Sequence, residues 1–217
     1  MKKIIAVILA LLSVACIFSA CGNKENQEET DKETTYAAED IKKEDGYSYV
    51  ILEDGTAKII GFNSEEKVEK LNMPSKFGDV IISCIGKGAF QNNDKIHAVY
   101  TPKYITDIEE DAFAGSSIHN AFMSSSRKLI TIHKNAFANC PELIQADISS
   151  SVEKIEAGAF ENCTILKVLT LRGNVTPDEN AITAVAPGFA LWTYKDNADS
   201  IAFGKANGYE IKFLDRG

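Results

Sequence analysis

The chain reads Ile-Thr-Asp-Ile-Glu-Glu-Asp-Ala-Phe over residues 105–113, and this pattern occurs four times between Ile82 and Leu171. Each copy ends in an Ala-Phe pair, whose phenylalanines are Phe90, Phe113, Phe137 and Phe160. Successive phenylalanines are 23, 24 and 23 residues apart. The positions eight and five residues before each of them are all aliphatic: Ile82 and Ile85, Ile105 and Ile108, Leu129 and Ile132, Val152 and Ile155.

A second apolar pattern follows each phenylalanine, with the spacing apolar-x-x-apolar-x-apolar. Its members are Ile96, Val99 and Thr101, then Ile118, Ala121 and Met123, then Leu143, Ala146 and Ile148, then Leu166, Leu169 and Leu171. An amphipathic helix would repeat its apolar face every three or four residues, which this region does not do. The period instead predicts a repeat solenoid of the leucine-rich-repeat type, with stacked parallel β-strands about 4.8 Å apart. We expect the four phenylalanines to stack in one buried structural column.

The repeated pattern resembles the BspA-like leucine-rich repeat of bacterial surface proteins. It consists of an aliphatic residue, two variable residues, Ile, three variable residues and Ala-Phe, with a small residue or Cys three positions later. Asn93, Ser116, Cys140 and Cys163 occupy that last position. The resemblance covers residues 47–214 and implies short irregular or helical segments on the convex side. It also implies adhesion or protein-protein contact as the function, although fold alone does not establish function.

The repeats, which we place at residues 82–175 in about four turns, are flanked by predicted caps. Tyr47, Tyr49 and Ile51 alternate before a turn at Asp54-Gly55, which predicts a β-hairpin within an N-terminal cap at residues 46–81. The C-terminal cap, residues 176–217, is predicted as a strand, a helix near residues 198–206 and a last strand. Caps are expected because the end of a repeat stack exposes apolar surface.

The N-terminus has the features of an export signal. Lys2 and Lys3 precede an apolar run from Ile4 to Phe18, and small residues lead to Cys21. The run Phe-Ser-Ala-Cys at residues 18–21 resembles a bacterial lipobox. The resemblance implies a lipoprotein signal peptide at 1–20 and a lipid anchor on Cys21, in an exported protein on the extracytoplasmic face of a membrane. An uncleaved anchor or an ordinary secretory signal are the alternatives.

Residues 21–45 form a predicted acidic tether, since the segment after Cys21 has almost no apolar residues. The whole chain of 217 residues has a formal net charge of −8. This charge argues against nucleic acid as a partner, because nucleic-acid binders present basic surfaces.

The cysteines leave two structural readings open. Cys140 and Cys163 share a column in neighbouring turns, within the distance that a disulfide allows. Buried free cysteines also pack as small apolar residues. We favour packing, because Asn93 and Ser116 fill the same column in the other turns.

No catalytic motif emerges from the sequence, and we predict no catalytic residues, no cofactor and no metal. The Ser124–Ser126 run is expected to be a polar loop. The acidic run at residues 109–111 is expected to be a solvated turn.

Candidate partner-binding residues lie between the apolar positions of each strand, where side chains point outward. They are His97, Tyr100, His119, Phe122, Ile144, Gln145, Asp147 and Lys167. Tyr100 and Phe122 are expected to lie side by side, and aromatic residues are enriched at interface centres. A cross-strand pair that only stabilises the sheet is the alternative. Two adjacent histidines, His97 and His119, fall short of a metal ligand set.

The sequence therefore predicts a membrane-anchored surface lipoprotein whose solenoid binds a protein or glycan partner. The alternatives are a passive envelope component, or an enzyme or ligand carrier with an unrecognised site.

Overall fold

The structure is a computed structural model that describes residues 35–216. The predicted signal peptide, Cys21 and most of the predicted tether lie outside the described residues. The chain from residue 35 onward contains 17 strands and one helix in the order β1 to β16, α1 and β17. The strands are β1 Lys42–Glu44, β2 Tyr47–Ile51, β3 Ala57–Phe62, β4 Leu71–Asn72, β5 Lys76–Phe77, β6 Val80–Ile85, β7 Ala98–Tyr100, β8 Asp107–Ile108, β9 Asn120–Phe122, β10 Thr131–Ile132, β11 Gln145–Ile148, β12 Lys154–Ile155, β13 Phe160–Glu161, β14 Val168–Leu171, β15 Ile182–Thr183, β16 Ala190–Thr193 and β17 Glu210–Phe213; the helix is α1 Ala198–Ala206.

Two sheets run along a solenoid of about seven turns. The first sheet has the order β1-β2-β3-β6-β8-β10-β12, and the strand pairs from β3 to β12 in that order are parallel. Strand β5 pairs with β6 in antiparallel orientation. The second sheet is parallel throughout, with the order β17-β16-β14-β11-β9-β7-β4. The predicted leucine-rich-repeat solenoid is therefore confirmed. The side opposite the second sheet holds short turns and two-residue strands, and the only helix from residue 35 to residue 216 is α1.

Each Ala-Phe pair forms the corner between the two sheets. The Phe90 N–H donates to the Ala112 carbonyl at 2.7 Å, and the Phe113 N–H donates in the same way to Ala136 at 2.7 Å. The corner is bounded by two left-handed residues, two positions before and two positions after each phenylalanine, with φ between 54° and 72°. These residues are Gly88 and Asn92, Asp111 and Gly115, Asn135 and Asn139, and Gly158 and Asn162. Only Gly, Asn and Asp adopt this conformation at low cost, which explains why they recur there.

The phenylalanine column is confirmed at the centre of the core. The rings of Phe90, Phe113, Phe137 and Phe160 are at most 1% exposed. Their centroids are separated by 4.8, 4.9 and 5.2 Å, and neighbouring rings are within 10° of parallel. One hydrophobic core spans the solenoid because each column continues from turn to turn.

The cysteines beside this column are free and buried. The Cys140 thiol donates to the Phe113 carbonyl at 3.2 Å, and the Cys163 thiol donates to the Phe137 carbonyl at 3.1 Å. Each thiol therefore satisfies a carbonyl of the preceding turn. The packing interpretation describes this structure, and the disulfide does not form in it.

The ends of the solenoid agree with the predicted caps in type and differ in extent. The hairpin of β2 and β3 and the strand-helix-strand order of β16, α1 and β17 are present as predicted. However, β3 pairs with β6 and β17 pairs with β16 in parallel, so the stack is longer than the four predicted turns at 82–175. The predicted tether at 21–45 also overlaps β1, which pairs with β2. From residue 35 to residue 216, no helix has the length and hydrophobicity that crossing a bilayer requires.

Candidate binding surface

The second sheet arranges its outward side chains in columns, because its strands are parallel and in register. One column contains Asn72, Tyr100, Phe122, Asp147, Thr170, Trp192 and Lys212 in that order. We call the outward surface of β7, β9, β11, β14 and β16 the sheet face. The predicted partner-binding residues lie on it or at its border.

Tyr100 and Phe122 are brought together as predicted. Their ring centroids are 4.8 Å apart and their planes differ by 25°. Both side chains are partly exposed. The core beneath them is closed by Val99 and Ala121, which are fully buried. The aromatic pair is therefore an addition to the outer surface, and the core is complete without it.

His97 and His119 lie beside each other with ring centroids 5.1 Å apart and a 59° angle between the rings. Each already has a carboxylate neighbour: His97 Nδ1 is 3.1 Å from Glu69, and His119 Nε2 is 3.2 Å from Glu142. His119 Nδ1 is buried and has no hydrogen-bond partner among residues 35–216. That range contains no cluster of three or more His, Cys, Asp or Glu residues suited to a metal ion.

Asp147 is placed differently from the prediction. Its side chain is 9% exposed and lies under Arg172, which follows it by 25 residues. The Arg172 Nε and Nη2 atoms donate to the two Asp147 carboxylate oxygens at 2.7 and 2.8 Å. This bond raises the pKa of the Arg172 guanidinium. Asp147 is therefore a buried partner in an ion pair, and Arg172 occupies the surface where Asp147 was expected.

The other predicted residues border the aromatic pair. Ile144 is 38% exposed, Lys167 is exposed and Gln145 is half-buried. Ile144 and Lys167 lie in the two turns after His119, joined to it by backbone hydrogen bonds. The Ile144 N–H donates to the His119 carbonyl at 2.8 Å, and the Lys167 N–H donates to the Ile144 carbonyl at 2.9 Å. This border is apolar at Ile144 and positively charged at Lys167.

The sequence interpretation missed Trp192, which extends the sheet face toward the C-terminus. Trp192 is in register with Thr170, and Lys212 Nζ lies 5.7 Å from the Trp192 ring centroid. Tyr194 lies next to this strand and is covered by the Arg216 guanidinium at 4.7 Å. The signal in the sequence is Leu-Trp-Thr at residues 191–193, which repeats the aliphatic-aromatic-Thr order of residues 99–101.

The outer surface of the first sheet carries polar side chains together with apolar ones such as the exposed Ile81. Cys84 lies in an open groove there beside Glu109, with its thiol 3.3 Å from the Glu109 carboxylate, and Lys58 is paired with the same carboxylate at 2.5 Å. Burial, and then the negative charge of Glu109, raises the pKa of the Cys84 thiol well above its ordinary value. Such a thiol is a poor nucleophile, because the reactive species is the thiolate.

Comparisons with known proteins agree with this geometry. Residues 60–182 match the BspA-type leucine-rich repeat region in six copies. A leucine-rich cell surface protein of Faecalibacterium prausnitzii has a similar structure, with 20% identity, a TM-score of 0.52 and coverage of 70% of this chain and 45% of that one. The pneumococcal vaccine antigen PcpA is similar at 18% identity, with a TM-score of 0.51 and coverage of 72% of this chain and 50% of that one.

The chain thus spans about half the length of each of these two structures. No curated protein sequence matches it. The match to the repeat region covers more than half of the chain and coincides with the stacked turns. The chain therefore belongs to the BspA-type leucine-rich repeat family.

Proposed function

We propose that the chain is a non-catalytic binding module of the cell surface, held at a membrane by a lipid anchor on Cys21, whose sheet face binds a partner. The family is one of repeat modules, and one similar structure is that of a cell surface protein. The observation that carries the proposal is the partly exposed Tyr100–Phe122 pair.

The aromatic pair has the surroundings of an interface centre. Exposed Ile144 adds apolar surface, while Lys167 and the half-exposed histidines provide a polar border. Interfaces commonly have a desolvated aromatic centre within such a rim. Stabilisation of the sheet alone would gain about 0.2 to 1 kcal/mol from the pair. Stabilisation of the sheet does not require the rings to be accessible to a partner, whereas binding does.

The orientation of the rings favours a protein over a glycan. Tyr100 and Phe122 stack across neighbouring strands, so each ring covers one face of the other. Stacking therefore leaves less aromatic face open to a ligand. Sugar rings pack against aromatic faces, whereas apolar protein side chains pack against edges equally well. An anchor residue from a protein partner is thus the better fit.

The binding proposal is tested by cross-linking and capture with the full chain. The test variant is Tyr100→Ala with Phe122→Ala, and the matched control is Ile81→Ala with Ile130→Ala, which removes two exposed residues from the first-sheet side. We expect the control to retain the partners of the wild type and the test variant to lose them. Equal recovery by both variants would refute a role for the aromatic pair. Capture of no partner by the wild type would favour a passive envelope component.

The anchor is a separate part of the proposal with its own test. It is supported by the lipobox-like residues 18–21 and the apolar run before them. We expect metabolic labelling with a fatty-acid analogue to mark the wild type and not Cys21→Ser, and the variant to leave the membrane fraction. Labelling of both would refute Cys21 as the modified residue. A labelled protein that binds no partner would support the anchor and refute the binding function.

A further inference from the structure

The two sheets differ in how their edges are protected. The first sheet begins at β1, whose three residues are charged and exposed, and it ends at the two-residue strand β12. The second sheet begins at the two-residue strand β4 and ends at β17, which has four residues. Short or charged edges resist pairing with another chain. Strand β17, with the sequence Glu-Ile-Lys-Phe, is the one long sheet edge within residues 35–216 that carries apolar side chains.

The backbone of β17 directs hydrogen-bonding groups away from the solenoid. The Leu214 N–H donates to the Thr193 carbonyl of β16 at 2.9 Å. Backbone groups of successive strand residues point in alternate directions, so Lys212 also faces β16. Ile211 and Phe213 therefore direct their N–H and carbonyl groups toward the open side. In the described part of the chain β17 has β16 as its one neighbouring strand.

We propose that β17 pairs with β17 of a second copy of this chain in antiparallel orientation, centred on Ile211. Alternation allows this register, because it places Ile211 opposite Ile211, both with outward-directed backbone groups. Phe213 then lies opposite Tyr209, whose N–H is already bonded to the Gly204 carbonyl of its own chain at 2.9 Å, so the pairing is centred on the two Ile211 residues. A shift by one residue would place an outward-directed residue opposite an inward-directed one. A contact between identical strands also satisfies two-fold symmetry.

Charge complementarity selects a second copy as the occupant of this edge. In the proposed register Glu210 of one chain lies opposite Lys212 of the other, twice in each dimer. The two side chains are exposed by 58% and 42% and are oppositely charged, with Glu210 Oε1 and Lys212 Nζ 3.5 Å apart within one chain. Opposite charges facing each other across an antiparallel pair stabilise it, and like charges destabilise it.

Phe213 supplies the apolar part of the contact. It is in register with Thr193, which is in register with Leu171. Both of these residues are buried, yet Phe213 itself is 44% exposed. The exposure arises because no further turn covers it within the described residues. Pairing of β17 with a second copy would cover part of this surface and remove it from water.

The test is sedimentation velocity of the full chain in a non-ionic detergent over a range of concentrations. The variants are Lys212→Glu, Glu210→Lys and the double reversal Glu210→Lys with Lys212→Glu. Each single reversal places like charges opposite each other twice, so we expect dimerisation weakened about tenfold or more. The double reversal restores both opposite-charge pairs and should recover the dimer. Lys134→Glu, an exposed site in another turn, is the control and should leave the dimer unchanged.

Two results would overturn the proposal. One is a wild-type chain that remains monomeric at all concentrations, and the other is a dimer that does not respond to the single reversals. The register is checked by disulfide formation in a Cys16→Ser, Cys21→Ser background. Mixed Glu210→Cys and Lys212→Cys chains should cross-link faster than either variant alone, and equal rates would refute the centre at Ile211.

Discussion

Phe137→Ala is expected to be the most informative perturbation of the solenoid. Phe137 is fully buried, and its ring stacks on Phe113 at 4.9 Å and on Phe160 at 5.2 Å, nearly parallel to both. Removing a buried phenylalanine costs about 3 to 5 kcal/mol from lost transfer energy and the cavity left behind. Because two ring contacts worth about 0.5 to 1.5 kcal/mol each are lost as well, we expect the upper half of that range. A loss of about 4 to 5 kcal/mol would lower Tm by about 8 to 20 °C.

The assay is urea and thermal unfolding followed by circular dichroism, with Phe122→Ala as the matched control. Phe122 is also a phenylalanine stacked on an aromatic neighbour, but it is partly exposed on the sheet face. We expect the control to lose about 1 kcal/mol or less. If Phe137→Ala lost no more than Phe122→Ala, the phenylalanine column would not be the stabilising element of the fold, and our account of the core would fail.

Three further outcomes follow from individual contacts. Arg172→Ala removes the partner of the buried Asp147 carboxylate, and we expect a loss of about 2 kcal/mol in urea unfolding, below the 3 to 5 kcal/mol of a fully buried pair because Arg172 is 35% exposed. Gly158→Ala should lower the free energy of unfolding by about 1 to 2 kcal/mol, because φ is +72° at this position and the added methyl group would meet the Asn135 side chain. The control is Ala157→Gly, at the exposed neighbouring position. Cys140 and Cys163 should resist alkylation in the folded chain and react in denaturant without reductant, since both are fully buried thiols and a hydrogen bond with Cys140, with burial, raises the pKa of Cys163. Intact mass counts the alkyl groups added in denaturant, and two fewer groups without reductant than with reductant would indicate a disulfide.

The sequence predicted the parts of the fold that repeat in apolar residues. The column from Phe90 to Phe160 and the aliphatic positions around it are all buried, because a buried column requires the same residue type in every turn. The sequence did not predict the strands of the first sheet beyond the hairpin. Its later strands, such as β8 and β10, have two residues each, and one residue of each is polar. Such short strands give no alternating pattern that a sequence window can detect.

The candidate surface was predicted in part for a related reason. Tyr100 and Phe122 lie at the same position of consecutive repeats, so their contact follows from the period alone. Trp192 occupies that same position in a turn that lacks the Ala-Phe pair. The repeats predicted from that pair therefore ended before the turn that contains Trp192. The burial of Asp147 depends on Arg172, which lies just after the strand of the next turn. A pattern limited to strand positions does not include that residue.

The uniform spacing of the phenylalanine rings has a consequence for how proteins of this design can diversify. From Phe90 to Phe160, each ring stacks on the equivalent ring of the next turn at 4.8 to 5.2 Å. Duplication or loss of one complete unit would therefore preserve every type of contact and change only the number of units. The sheet would lengthen or shorten by about 4.8 Å for each unit, while both terminal structures stayed the same. Gain or loss of repeats in the gene can thus change the area of the surface that contacts a ligand, while the packing within each turn stays the same.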